Sequence, residues 1–412
     1  MHRICSFLFA LIIYTLSLQG QQAEQGTKEA LRSLGATFYK DCHATLLPTA
    51  QEKFQVLFDD IRQARKYIHL DYFKFQDDSI CSELFILLAQ KVREGVCVRV
   101  LYDAIGNQYS DLPLRRPLID SLRAQGIRIF AFDRMRFPWI HHFVHRNHHK
   151  IAVIDGTYVY TGGMNVADYY LHGKPKIGEW RDMHMRLTGP IVEGFEHIFE
   201  VMWFDASGEL LAEGSAYNEN HASQHEEGNS TMALVSRMPR HNSDNMRNAL
   251  AAAIDNAEEI IQIVNPYSTL THTVRKALYH ALERGVRLQY MVSYKGDANI
   301  TQNVQAIEMR KLMKRGAEIY YYAGGFHHGK VMMIDNRFCC VGTTNMDGRS
   351  LRNDYEVSAF IFDVATTHQL QSIFQKDIEE HCFLLTPSVW KERFTVRERM
   401  SGRFFTPIRS SL

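Results

Sequence analysis

Short apolar runs alternate along this chain with stretches whose apolar residues recur every three or four positions, the mark of strands alternating with amphipathic helices. YIHLDYF (67–73) reads as a strand, SELFILLAQKVREG (82–95) as a helix and VCVRVLYDAIG (96–106) as a strand. A helix around LIDSLRAQG and the strand IRIFAF follow. From residue 257 the same order returns: IIQIVNPY, TVRKALYHALERG, VRLQYMVSY, IEMRKLMKRG and AEIYYYAGG. The helix-ending glycines Gly95 and Gly126 have the same separation as Gly285 and Gly316, which fixes the register of a long internal repeat. The strands lack strict alternation, as expected of sheets covered on both faces. The pattern therefore predicts an α/β chain of two similar α/β sandwich lobes, packed as one bilobed unit.

The expected boundaries are 36–204 for the first half and 246–389 for the second. Residues 205–245 turn polar and are expected to form a connector of low order. Residues 390–412 mix Arg393, Arg397, Arg399 and Arg403 with Trp390, Phe394, Phe404 and Phe405, a composition suited to an anionic bilayer surface. Between Gly126 and His148 the first half is ten residues longer than the matching stretch of the second, Gly316 to His328. That insertion, within FDRMRFPWIHHFVHRN, is basic and aromatic, and its Arg134, Arg136, Phe137, Trp139 and Arg146 are placed to contact a lipid headgroup and upper acyl chains.

Candidate chemistry lies in a doubled motif. HHKIAVIDGTYVYTGGMN (148–165) and HGKVMMIDNRFCCVGTTN (328–345) both obey HxKxxxxD, then six residues, then GxxN. One such pattern fixes few positions and is weak; two copies with matching tails are strong. Period two in a strand puts His148 and Lys150 on one face, and His328 and Lys330 likewise. Asp155 and Asp335 fall at Asp-Gly and Asp-Asn, hairpin signals that favour support of the site over proton transfer.

This doubled motif resembles the phospholipase D superfamily, whose members build one interfacial active site from two such halves, here with motif regions 142–169 and 322–349. The resemblance extends to bacterial cardiolipin synthases through RNHHKIAVIDGTYVYTGGMNVADYY, EWRDMHMRLTGPIV with FEVMWF, and ERMSGRFFTPI. His149 stands where Arg is common in that family, and one short apolar N-terminal segment replaces the frequent pair of spans. The resemblance implies transfer of a phosphatidyl group from one phosphatidylglycerol to another with release of glycerol. A phosphodiester needs an unprotonated nucleophile, an acid for the leaving oxygen and fixed positive charge. One histidine attacks phosphorus to give a phosphohistidine while the other protonates the alcohol; by resemblance His148 is the nucleophile and His328 the acid. The catalytic set is His148, Lys150, Asp155, His328, Lys330 and Asp335. The lysines and the amides of Asn165 and Asn345 would grip the phosphate, with Gly162, Gly163, Gly342 and Thr343 allowing close backbone approach. In the superfamily an acidic residue beyond each motif orients a histidine; Glu356 and Asp182 occupy those places, with Glu179 close by the latter. A phospholipase D-type phosphodiesterase, acting as lipid hydrolase or nuclease, and a lipid-binding module without activity are the alternatives.

Charge and composition trim this picture. Lys plus Arg (47) barely exceed Asp plus Glu (46), so no bulk electrostatic binding of nucleic acid is expected. The expected partners are phosphatidylglycerol, other membrane phospholipids and an anionic membrane surface. Neither cofactor nor metal is expected: His141, His142, His145, His148 and His149 lack paired zinc-ligand spacing. The cysteines, without any CxxC, suggest buried thiols. Arg3 followed by an apolar run from Ile4 to Leu18 reads as a signal peptide or membrane anchor over residues 1–20. Location at the bacterial cell membrane, peripheral or anchored and on the exported side, follows.

Overall fold

The computed structural model describes residues 21–133, 144–211, 228–240 and 244–411. The expected leader or anchor, and Arg134, Arg136, Phe137, Trp139, His141 and His142 of the insertion, lie outside these residues. No helix among the described residues is long and apolar enough to cross a membrane.

Two helices of the first half combine a side-chain cap with an apolar face. Ala50–Gln63 starts with a reciprocal capping box between Thr49 and Glu52 and buries Phe54, Leu57, Phe58 and Ile61. Ser79–Arg93 is capped by Asp78, which accepts the Cys81 N–H, and buries Leu84, Leu87 and Leu88. Such faces pack on a sheet that joins fifteen strands among the described residues. At its middle Thr37–Leu47 and Ser230–Arg237 pair antiparallel. Outward on one side come His184–Thr188, Tyr158–Gly162, Lys150–Ile154, Tyr67–Tyr72, Cys97–Asp103 and Arg128–Phe132. On the other come Glu356–Phe362, Phe338–Gly342, Val331–Ile334, Ile260–Val264, Arg287–Ser293 and Glu318–Tyr322, with Cys382–Leu384 added at the edge. The two sides repeat each other strand for strand, so the bilobed α/β fold expected from the repeat is present. Each half has its own apolar cluster, and a third spans both, joining Val153, Met185 and Phe199 to Met333, Val357 and Phe374. That shared core makes the halves one body.

Two boundaries differ from the sequence reading. The polar connector 205–245 contains Ser230–Arg237, a largely buried strand at the centre of the sheet and the counterpart of Thr37–Leu47. Its apolar run MALV is flanked by polar residues on both sides, which hid a strand whose hydrogen bonds are supplied by distant segments. The basic and aromatic C-terminal segment is also split in its duties: Trp390 and Phe394 are buried against the second half's core, whereas Phe404 is 77% exposed.

Candidate active site

Each motif strand carries its two chemistries at opposite ends. At the far ends Asp155 and Asp335 turn the chain with positive φ (53° and 51°). The Asp155 carboxylate accepts the N–H groups of Arg65, Lys66 and Tyr67 at 2.6, 2.8 and 2.9 Å. Asp335 accepts those of Glu258, Glu259 and Ile260, each at 2.8 Å. Both carboxylates therefore pin the motif hairpin to the start of the next strand and stand apart from the histidines.

At the near ends the halves exchange partners. Nδ1 of His148 lies 2.8 Å from Oε1 of Glu356, and Nδ1 of His328 lies 2.8 Å from Oδ2 of Asp182, so each histidine is oriented by the acid of the other half. Backbone pairing enforces the exchange. His148 N donates to Tyr355 O at 3.0 Å and Tyr355 N to Arg146 O at 2.8 Å, which delivers Glu356. Gly325–His327 pairs in parallel with Glu179–Arg181, and His328 N donates to Arg181 O at 2.6 Å, which delivers Asp182. Glu179, the nearby alternative, is spent on that small sheet and is exposed. With Nδ1 held by a carboxylate, Nε2 of each ring is the nitrogen left for chemistry.

The residues expected at the phosphate mostly build this support. A Cβ at Gly163 would come within 2.1 Å of Asp182 Oδ1, and one at Gly342 within 2.3 Å of Val357 O. Gly162, at φ 146°, lets the backbone of Met183 and His184 approach. Thr343 donates its hydroxyl to Glu356. Gly163 and Thr343 thus make room for or hold the acids, and Gly162 and Gly342 admit the backbone beside them. Asn165 is likewise engaged: its Oδ1 accepts Lys74 N–H at 3.2 Å and its amide donates to the Tyr170 hydroxyl at 3.1 Å. Asn345 differs, for its Oδ1 is buried with no hydrogen-bond partner among the described residues.

Lys150 donates to His148 O at 2.6 Å, and Lys330 bonds its own His328 at Nδ1 (2.9 Å) and at the carbonyl. Phe73 stands edge-on to the His148 ring at 5.2 Å, and Tyr170, Trp180, Tyr267 and Phe326 surround His328. Burial, then the neighbouring lysines of both halves, holds both histidines well below their usual range. Burial also brings Lys150 down to about 7 and Lys330 to about 8, and pushes Glu356 up to about 7 and Asp182 to about 6. Four basic groups crowd a buried site, and an anion bound among them would favour their protonated forms. A bound anion raises the pKa of these groups, so its affinity is full at low pH and is lost as pH rises through the bound-state values. Sulfate, which does not titrate here, should bind with proton uptake and weaken between about pH 6 and about pH 9. Calorimetry in buffers of different ionisation enthalpy measures this; pH-independent affinity without proton uptake contradicts it.

Arg146, expected at a lipid headgroup, lines the seam cavity but is only 2% exposed and forks onto Asp103 at 2.7–3.1 Å. Burying an arginine requires a paired carboxylate, and Asp103 supplies one while also accepting Asn147 N–H at 2.9 Å. His149 is buried on Asp71 at 3.0 Å, and His145 bonds Asn353 O at 2.8 Å. No group of three potential metal ligands occurs among the described residues. A cavity of about 440 Å³ opens on the seam, lined by His148, Asn345, Lys74, Tyr109, Tyr267 and Arg349 among others. Another of about 450 Å³ lies elsewhere, by Leu34, Tyr39 and Glu196, and holds no motif histidine or lysine. Sequence reasoning missed Tyr355 and Arg181, which deliver the acids, Ser350, which donates to Glu356, and the polar cavity residues Asp347, Arg349 and Asp354. A signal for Asp347 and Arg349 was present: MDGRS follows the second motif where VADYY follows the first.

Two mirrored α/β lobes with a duplicated His-Lys motif meeting at their seam define a phospholipase D-superfamily enzyme. The family profile described as "Cardiolipin synthase, PLD-like domain" matches residues 57–203 and 250–378, and the chain belongs to that family. It is 34% identical over 350 residues to the cardiolipin synthase of Oceanobacillus iheyensis, covering 85% of this chain and 71% of the relative. Identity to the major cardiolipin synthase of Bacillus subtilis is 34% over 346 residues, 83% of this chain and 70% of that one. In fold it is similar to the phosphatidylserine synthase of Haemophilus influenzae Rd KW20, with TM-score 0.72 at 16% identity, covering 94% of this chain and 100% of that one.

Proposed function

We propose that this enzyme is a phosphatidyltransferase that forms cardiolipin from two phosphatidylglycerol molecules and releases glycerol. The observation that carries the reading is the crossed pair His148–Glu356 and His328–Asp182, which puts two oriented imidazoles at one seam. Nε2 of His148, the ring that lines the cavity, attacks phosphorus, and His328 gives its proton to the departing glycerol oxygen. His328 then takes the proton of the second lipid's hydroxyl, whose oxygen attacks the phosphohistidine and frees His148. The pair must hold opposite protonation states throughout, and Lys150 and Lys330 neutralise the phosphoryl oxygens. The relatives named as cardiolipin synthases support the same substrates.

An acceptor confined to the same lipid layer outcompetes water through effective concentration and orientation. The C-terminus supports such confinement. On the helix Val396–Phe405, Val396, Met400 and Phe404 recur every fourth residue at 62, 65 and 77% exposure, with Arg397 and Arg403 exposed beside them. This helix packs closely on Asn299–Met313, since a Cβ at Gly402 would meet Asn303 O at 2.2 Å, and Ala298 and Thr301 at the start of that partner line the seam cavity. A basic apolar stripe beside the mouth fits an anionic bilayer. Replacing Val396, Met400 and Phe404 together by Ser should weaken cosedimentation with phosphatidylglycerol vesicles by about tenfold or more; unchanged binding removes the stripe from the membrane contact.

The function itself is tested by incubating the purified full chain with phosphatidylglycerol alone. Cardiolipin and glycerol should appear in equal amounts, with or without EDTA, because the lysines provide the positive charge. Phosphatidic acid in place of cardiolipin would make the enzyme a hydrolase.

A further inference from the structure

The two motifs are so alike that whatever distinguishes the donor lipid from the acceptor must lie where the repeat breaks. In the register of the repeat Ala167 corresponds to Asp347, Tyr169 to Arg349 and Tyr170 to Ser350. Ala167 is fully buried and Tyr169 and Tyr170 pack on Trp180, so the first half closes with aromatic rings around His328. The second half opens instead onto the seam cavity, where Asp347, Arg349 and Asp354 join Asn345, Tyr267 and His148. Tyr267 also stands edge-on to His328 at 6.1 Å, so this one space reaches the surroundings of both histidines.

We infer that Asn345, Asp347 and Arg349 form an acceptor subsite that recognises the hydroxyl groups of a polyol headgroup. The inference rests on the transferase reading above and adds to it the group that selects the acceptor.

One acceptor on the cavity wall lacks a donor. Asn345 is 6% exposed, and its Oδ1 is buried without a hydrogen-bond partner among the described residues. A hydroxyl, which both donates and accepts, can satisfy that amide. Asp347, also 6% exposed, is fixed at the wall by the Ser350 N–H donating to its Oδ1 at 2.7 Å. A carboxyl there repels a phosphoryl group and attracts hydroxyls. Burial pushes it up to about 7, so it can serve as acceptor or donor to them. Arg349 completes the set as a donor: its Nε lies 3.2 Å from Oδ2 of Asp354, and its side chain remains 46% exposed. Two acceptors and a forked donor match the vicinal hydroxyls of a glycerol headgroup, each of which must both give and receive a hydrogen bond. A simple alcohol with one hydroxyl and a short alkyl tail leaves part of the set unpaired, and sites built on hydrogen bonds discriminate strongly against such analogues.

The test is a competition on phosphatidylglycerol vesicles containing ethanol, measured as the ratio of cardiolipin to phosphatidylethanol formed by the full chain. Asp347→Ala should lower this ratio by about tenfold or more. Asp347→Asn, which keeps an acceptor and the side chain's shape, should hold it within about threefold of the parent and separates lost recognition from lost folding. If Asp347→Ala is folded by circular dichroism and both products fall in proportion, the subsite assignment is overturned while the transferase stands. If the parent chain forms neither product, the transferase reading itself fails.

Discussion

Alanine at either His148 or His328 is expected to lower turnover by about a hundredfold to ten-thousandfold, because neither half retains both a nucleophile and an acid. The crossed geometry makes a sharper demand on the carboxylates. Glu356→Gln should behave like a lesion of His148, and Asp182→Asn like a lesion of His328, although each acid follows the other motif in sequence. A phosphatidyl donor carrying p-nitrophenol separates them, since that leaving group departs without a proton. In a rapid-quench burst of nitrophenol, Asp182→Asn should recover most of the parent's amplitude and rate, while Glu356→Gln should stay about a hundredfold slow. Equal bursts from the two variants would show that the histidine roles are not divided in this way.

The second large effect concerns stability. Arg146→Ala leaves the Asp103 carboxylate buried without its guanidinium, a change that destabilises folded proteins by about 3–5 kcal/mol. Burial raises the Asp103 carboxyl, and the arginine beside it offsets part of the rise. Urea unfolding of the full chain measures the loss. Arg146→Lys, with charge but no fork, should fall between the parent and the alanine variant. A loss under about 1 kcal/mol accompanied by weaker lipid binding would return Arg146 to the headgroup role that its sequence neighbourhood suggests.

The contrast between these two sites explains what could be read from the chain. The lobes were legible because matched glycines and apolar runs are local signals; Glu356 was reached through the superfamily pattern beyond its motif, and Asp182 only by aligning DMHMRLTG with EVSAFIFD across an insertion. Which acid serves which histidine was not legible. It is decided by Tyr355 pairing with Arg146 and His148, and by Arg181 pairing with His328, contacts between segments far apart in sequence. The burial of Arg146 was not legible for a related reason: a basic, aromatic run looks like surface until Asp103 is known to lie behind it. Ser230–Arg237 was missed because its neighbours in the sheet, Thr37–Leu47 and Glu356–Phe362, come from opposite ends of the chain. Trp390 and Phe404 look alike in sequence, yet one fills the second lobe and the other faces outward.

The exchange of carboxylates between halves also constrains how this chain can change over generations. On the proposed mechanism a substitution at Glu356 would disarm a histidine in the opposite half, so damage to one motif would reach the other. On that mechanism neither half could lose its acid or its histidine while its twin kept the chemistry. Two separately produced fragments, cut between Leu211 and Gly228, would each carry a histidine whose acid resides on the other, and competence would return only on their association. The duplication is thereby locked: each copy is the other's purifying constraint.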